Sequence, residues 1–584
     1  MTATGIRRPW RWALGAAALL LLVPAPSRAH HMVWLDFSGL DLSAWASVNG
    51  NTPPTANDLA QVQALVVANM AQDYAAFDVT LSLFQPANGR YTRVRFLPTT
   101  IVTASGTTFG CAGADCCPAG GTCTGISSWD SVAASQAEIY AGSFSGDANF
   151  SGANATTARI ANALSHTGSH ELGHILDLRH CNAADDSVTL GCANTTTAST
   201  SDTNATWHIM ASGTSWSLTM AQRATRDRFF SVHASRRILH GNFQARNHFS
   251  TLGNLDGLLG EADLAYGRFS SPTTTAWYRR LSDGAAFGKP ATASTDAGDA
   301  GDIFLLGDVS GDGRADLVYG EFVSATQVRW RVRKATSSGT GTFGAATVWR
   351  EDAGDVGDIF RLADLNDDGR DDLAYGRPLA SDTIRWYARL SSGIVFGAWS
   401  IWRDDAGDEG DYFFLADGDA DGDADLIYGR PVSATQVSWY GRKSNGTGFG
   451  DYSTWRDDAG DKGDLFYVGD VSGDSDADLV YGRPAPNSNG LVEWFVRGST
   501  GSSFGVHSSW SSDAGDPGDL FRLGDGDGDG ALDLLYGRPA GMTSLTTAPD
   551  LSHIHWYGRR SLDAAFGTST NWAHDAGDEG DVFP

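Results

Sequence analysis

The chain has 584 residues, too many for one hydrophobic core, so two to four domains are expected. Against 42 Lys and Arg stand 69 Asp and Glu, and the formal net charge of −27 excludes partners that call for a basic surface, nucleic acid first. The acid is concentrated beyond residue 290 in repeated Asp-Gly clusters, so it is not a uniform solvated coat.

Residues 1–29 read as a signal peptide. Arg7, Arg8 and Arg11 form a charged start, 13–23 is an apolar run, and Ser27 to Ala29 is a small-x-small cleavage pattern. That run is shorter than the roughly 20 residues a membrane span needs, and no second run appears. A secreted, soluble and monomeric protein is expected. The six cysteines, Cys111, Cys116, Cys117, Cys123, Cys181 and Cys192, suit an oxidising compartment. Three disulfides are expected, with Cys181–Cys192 as the local pair; the rival reading of "CAGADCCPAGGTC" is a zinc knuckle, which its lack of histidine disfavours.

Residues 30–237 read as an α+β domain. "MVWLDFSGL", "VTLSLF" and "RYTRVRFLP" alternate like strands, and "ANDLAQVQALVVANMAQDYAAF" has the period of an amphipathic helix. "AEIYAGSF" reads as an edge strand able to pair with an extended substrate. "ARIANALSH" leads as a helix into the next motif, and "LTMAQRATRDRFFSVHASRRI" closes the domain as another.

"LSHTGSHELGHILDLRHC", residues 164–181, holds four histidines. His170 and His174 stand one helical turn apart, so both imidazoles leave one face, with Glu171 placed to act on a metal-bound water. His180 follows six residues later. On a continued helix it would point away from that face, so the helix must stop near Asp177. Aspartate tolerates a left-handed bend less well than glycine but better than most residues. Asp177 as the third ligand is the alternative. Starting the register at His166 would put Thr167 where the base belongs, so His166 is read as structural or as a support to the ligands.

The run H-E-x-x-H-x-x-D-x-x-H resembles the metzincin zinc metallopeptidases. "WHIMASG" puts Met210 thirty residues beyond His180, where it resembles their Met-turn; Ser212 stands where some members have tyrosine. The resemblance covers about residues 30–237. It implies catalytic zinc on His170, His174 and His180, a fourth position for water, and Glu171 as the catalytic base.

From 238 to 584 the sequence repeats. Phe249, Phe304, Phe360, Phe413, Phe466, Phe521 and Phe583 open units spaced 53 to 62 residues apart. Each complete unit runs through an acidic loop, "DLxYG" or a variant, a strand centred on a tryptophan (277, 330, 386, 439, 494, 556), and a Phe-Gly pair. "DAGDxGD" separates the units six times. Such units suit four-stranded propeller blades, six or seven in number, with the fragment at Phe583 closing the ring.

Five acidic loops carry oxygens at positions 1, 3, 5 and 9: Asp308, Ser310, Asp312 and Asp316; Asp364, Asn366, Asp368 and Asp372; Asp417, Asp419, Asp421 and Asp425; Asp470, Ser472, Asp474 and Asp478; Asp525, Asp527, Asp529 and Asp533. That is the ligand logic of calcium. Ser475 replaces the turn glycine in the fourth loop, and "NLDGLLGEAD" in the first unit lacks the spacing. The units resemble FG-GAP (VCBS-like) repeats of integrin-type propellers, which implies structural calcium and a surface for a cell-surface or matrix ligand.

The combined expectation is a multidomain chain: a secreted zinc metalloendopeptidase acting on protein or peptide substrates, with a calcium-binding propeller. The alternatives are a propeller adhesin whose peptidase-like domain is inert, and hydrolysis of a non-peptide amide or ester.

Overall fold

The computed structural model describes residues 31–74, 79–86, 91–103, 106–112, 136–176, 209, 219–225, 252–258 and 260–584, the last with breaks at 337–338, 380–381, 434, 485–490, 517–518, 540–552 and 579–580. The signal peptide, His180, Asp177, Met210, Phe249 and five of the six cysteines lie outside the described residues; Cys111 lies within them.

The N-terminal part is a small α/β layer. Its strands are β1 (His31–Asp36), β2 (Val79–Ser82), β3 (Tyr91–Leu97), β4 (Ile101–Thr103), β5 (Gly106–Thr108), β6 (Gly110–Ala112) and β7 (Gln136–Tyr140). Its helices are α1 (Ala56–Asp73), α2 (Thr157–Ile175) and α3 (Met220–Thr225). Five strands form one sheet in the order β2-β1-β3-β7-β6, parallel except for β6, which runs antiparallel to β7. β4 and β5 make a separate hairpin. The reading of "AEIYAGSF" as the edge is corrected. β7 lies inside the sheet, "AGSF" turns into a 3-10 helix, and the edge is β6.

Helix α1 starts at a reciprocal cap: Asp58 N–H donates to Thr55 Oγ1 at 3.2 Å and Thr55 N–H to Asp58 Oδ2 at 2.8 Å. Its buried stripe of Val62, Val66 and Met70 faces the core. Helix α2 is apolar or small over most of its surface and is buried along nearly its whole length. That places His166 and His174 in the interior and leaves His170 half-buried.

The second part is a β-propeller of six blades. Blade one holds β8 (Leu264–Ser271), β9 (Thr274–Arg280) and β10 (Ala291–Ser294). Blades two to six are four-stranded antiparallel sheets spanning 303–350, 359–403, 412–456, 465–511 and 520–573. The fourth strand of blade one comes from the other end of the chain: Gly267 and Val582 exchange both backbone bonds at 2.7 Å. The fragment at Phe583 is therefore the innermost strand of blade one, and the seven-blade option falls.

The repeated residues make one contact set six times. Each tryptophan is fully buried and donates Nε1–H to the alanine carbonyl of the following "DAG", at 2.8 to 3.0 Å. Its ring meets the phenylalanine that opens the next blade, from Trp277–Phe304 at 5.2 Å round to Trp556–Phe583 at 5.5 Å. The glycine of "YG" sits directly opposite. A Cβ on Gly320 would lie 3.0 Å from Trp330, so no larger residue fits there without a shift. The last aspartate of "DAGDxGD" is held by the arginine of "YGR" in five blades, as in Asp358–Arg377 at 2.8 Å. Blade two has Glu321 at that arginine's position, and Glu321 pairs with Arg329 and Arg331 instead.

The two parts share apolar contacts. The core of the N-terminal layer continues into Leu465, Tyr467 and Phe521 of blades five and six. Met32, Ala71 and Leu81 face Phe269, Ile303 and Phe360 across a cavity of about 70 Å3. Among the described residues no helix is long and apolar enough to cross a membrane.

Candidate functional site

Helix α2 ends at Ile175 with Leu176 as its C-cap, immediately before Asp177. On its last two turns the rings of His170 and His174 lie 4.7 Å apart and nearly perpendicular. His170 Nδ1 is 2.6 Å from the carbonyl oxygen of Ile209. A carbonyl only accepts, so Nδ1 carries the proton and Nε2 is the basic nitrogen of the neutral ring. This backbone restraint is the kind that orients metal-ligating imidazoles. Nitrogen donors on two facing rings suit zinc. His180, the third expected ligand, and Met210, the residue after Ile209, are outside the described residues. His166, one turn earlier, is buried.

Glu171 is buried beside the pair, and burial pushes its carboxyl up to about 8, with Arg223 opposing the rise. Burial likewise brings Arg223, on α3, down to about 10, while Glu171 resists. The Arg223 guanidinium stacks 4.8 Å over Phe109, the residue before β6. β6 itself passes over Glu171: a Cβ on Gly110 would meet Glu171 Oε1 at 2.8 Å. Arg223, Gly110 and Ile209 escape sequence reading because no spacing links them to the histidines. The three elements meet only through tertiary packing.

The five acidic loops share one construction. The position-1 carboxylate folds the loop by accepting its own backbone N–H groups, as Asp308 does from Gly311, Asp312 and Gly313 at 2.7, 3.1 and 2.7 Å. The position-9 aspartates, Asp316, Asp372, Asp425, Asp478 and Asp533, are fully buried. Each uses Oδ1 to accept a backbone N–H from the following strand connection at 2.6 to 2.8 Å. In the third loop Asp425 Oδ2 and Asp419 Oδ1 are buried with no hydrogen-bond donor; Asn366 Oδ1 and Asp527 Oδ1 are in the same state in the second and fifth. Burial, with repulsion from Asp419, Asp421 and Asp417, pushes the Asp425 carboxyl up to about 7. Oxygens alone, several without donors and mutually repelling, are what a hard divalent cation satisfies. The fit to calcium is good. Asp417, Asp419 and Asp421 come within 4.8 Å of one another, as do Asp525, Asp527 and Asp529. Asp308, Asp364, Asp417 and Asp470 gather round one end of the central channel, where the cavity is about 610 Å3.

A third feature is aromatic. In blade three Tyr375 and Tyr387 stack at 5.0 Å, Trp399 stands edge-on to Tyr387 at 5.8 Å, and Arg377 covers Tyr387 at 5.5 Å. Blade four repeats this with Tyr428, Tyr440, Tyr452 and Arg430. Trp399 is 55% exposed and Tyr452 59%. Blade five ends the row with His507 and blade six with Ser569. Aligning the repeats on their Phe-Gly pairs would have found this row, since Trp399 and Tyr452 each stand three residues after the phenylalanine.

No protein-family model matches the chain, and no curated protein sequence does. Among solved structures it is similar to AofleA from Arthrobotrys oligospora, at 9% identity over 56% of this chain and 88% of that one, with a TM-score of 0.31. A mutant Aleuria aurantia lectin AAL in complex with Fucalpha1-6GlcNAc matches at 8% identity over 56% of this chain and 97% of its own, TM-score 0.31. Oligopeptidase B from Leishmania major matches at 10% over 58% and 44%, TM-score 0.28. With identities of about a tenth and TM-scores near 0.3, nothing about this chain follows from these likenesses, and the propeller rests on its own strand topology.

Proposed function

We propose that this is an exported binding protein. Its calcium-loop propeller holds a neutral, hydroxyl-rich polymer, a glycan of a cell surface or matrix. The observation that carries this is the exposed pair Trp399 and Tyr452, set at the same position of successive blades on rigid, stacked tyrosines. An aromatic face receives the C–H side of a sugar ring, and neighbouring arginines donate to its hydroxyls. Side chains that lose little freedom on binding are the ones that contribute most at such surfaces. A net charge of −27 disfavours polyanions. Calcium holds the loops that set the blades. The test is affinity electrophoresis against neutral polysaccharides, with Trp399→Ala and Tyr452→Ala each expected to weaken retardation about tenfold, or ~1.4 kcal/mol. Equal retardation of all three proteins would sink the reading.

A second reading is favoured by α2: the N-terminal layer is a zinc-dependent peptidase. His170 and His174 would hold the ion, together with His180. Zinc, when bound, supplies a water of lowered pKa and polarises the scissile carbonyl. Glu171 would take a proton at its carboxylate and return it to the leaving amine. β6, as the sheet edge beside Glu171, pairs with an extended substrate. Glu171→Ala should keep zinc and lose casein hydrolysis. Wild-type turnover in that variant refutes the role of Glu171. Without turnover in the wild type, the binding reading stands alone.

A further inference from the structure

Blade six carries a side-chain cluster that the calcium logic does not use. His553 lies just before the strand Ile554–Arg559, Asp575 just after the strand Thr570–Ala573, and Asp578 in the turn that follows. Their metal-ligating atoms all lie within 4.8 Å of one another, and His553 Nδ1 is 2.9 Å from Asp575 Oδ1. At the register of His553, blades three, four and five have Thr383, Gln436 and Leu491. The backbone holds the two segments together independently of these side chains. Ile554 N–H donates to Gly577 O at 2.8 Å, and Ala576 N–H to Ile554 O at 3.0 Å.

The charges around the cluster are unbalanced. Asp578 and Asp581 both pair with Arg268 of blade one, at 2.7 and 2.8 Å, and Asp575 adds a third carboxylate. Among the described residues, and with His553 neutral, three carboxylates against one guanidinium leave −2, which one divalent cation offsets. Asp352, Asp355 and Asp358 repeat that ratio around Arg377 with Gln327 at the register of His553, so the imidazole is what sets this cluster apart. An imidazole donor directs that cation away from calcium and towards the zinc class. The position is also mechanically specific. Asp578 is four residues before Val582, whose two hydrogen bonds to Gly267 close the ring.

We propose that His553, Asp575 and Asp578 bind a divalent cation of the zinc class, which ties the closing segment to blade six and so locks the ring. The site is separate from α2 and from the five acidic loops, and does not depend on either reading of function.

The test uses the full chain saturated with calcium, titrated with zinc alone in a calorimeter and then melted. The variants are His553→Thr, the residue blade three uses, and Asp575→Asn, on an exposed side chain. Each should bind one zinc equivalent fewer than wild type, or bind it at least tenfold more weakly. Each should also lose the zinc-dependent rise in propeller melting temperature while keeping the calcium-dependent one. Any zinc held on α2 is common to all three proteins, so the difference isolates this site. Should a variant melt lower without metal, its zinc stoichiometry still decides. Unchanged stoichiometry and affinity in both variants, or the same zinc-induced rise in all three proteins, overturns the proposal.

Discussion

Arg377→Met should destabilise the propeller in a way that depends on pH. Asp358, its partner, is completely buried as a side chain; Arg377 donates Nε to Oδ1 at 3.1 Å and Nη2 to Oδ2 at 2.8 Å. Burial raises the Asp358 carboxyl to about 6 even with the arginine opposing it. Blade two shows the same position without its arginine. There burial, with Asp299 and Glu321 adding repulsion, raises Asp302 to about 8. A folded-state pKa above the ordinary 3.8 means that stability is fully present below 3.8 and is lost as pH rises through the folded value. Moving Asp358 from about 6 to about 8 therefore adds a loss that opens above pH 6 and is complete above pH 8. Its size is at most about 2.7 kcal/mol, at 1.36 kcal/mol for each step of one in pKa, because the Glu321 carboxylate that adds to the rise at Asp302 has no counterpart beside Asp358. Methionine keeps the bulk of the side chain, so below pH 6 the residual loss should be small. Urea unfolding of calcium-saturated wild type and variant at pH 5.5 and 8.5 measures the difference. An equal loss at both pH values would refute the electrostatic reasoning and leave packing as the cause.

Three further outcomes follow from the repeats. Ser475 has φ +76°, where the other four acidic loops have glycine, so Ser475→Gly should raise propeller stability by about 1 kcal/mol in the same urea assay. Gly320→Ala should lower it by about 1–3 kcal/mol, because the added methyl meets the Trp330 ring at 3.0 Å with nowhere to go. Chelation of calcium should lower the melting of the propeller, and calcium at a hundred times its Kd should restore about 2.7 kcal/mol per occupied loop. A melting curve indifferent to chelator would show that the buried oxygens of Asp419 and Asp425 are satisfied in another way.

The propeller was legible because its contacts have a short period: Trp330 to Ala353, Gly320 to Trp330, and Asp358 to Arg377 all lie within one unit. The closing role of the fragment at Phe583 was legible too, and the Gly267–Val582 pair bears it out; the blade count was not, since a six-blade and a seven-blade ring share the same local pattern. On α2, stereochemistry anticipated an end near Asp177, and the helix stops at Ile175. The edge strand was misplaced for a physical reason. "AEIYAGSF" has the alternation of a strand, but whether a strand is interior depends on what pairs with it. Its neighbour β6 is three residues, "GCA", with no pattern to read. The carbonyl of Ile209 could not be anticipated, because a backbone acceptor leaves no mark in side-chain spacing.

The claim on which the functional account rests is that Trp399 and Tyr452 form a ligand-binding row. The most direct measurement is titration of the calcium-saturated chain with a neutral polysaccharide that it retains, alongside the double variant Trp399→Ala/Tyr452→Ala. The account predicts saturable heat from wild type and at least a hundredfold weaker binding by the double variant at unchanged melting temperature. Identical isotherms for the two proteins would contradict it.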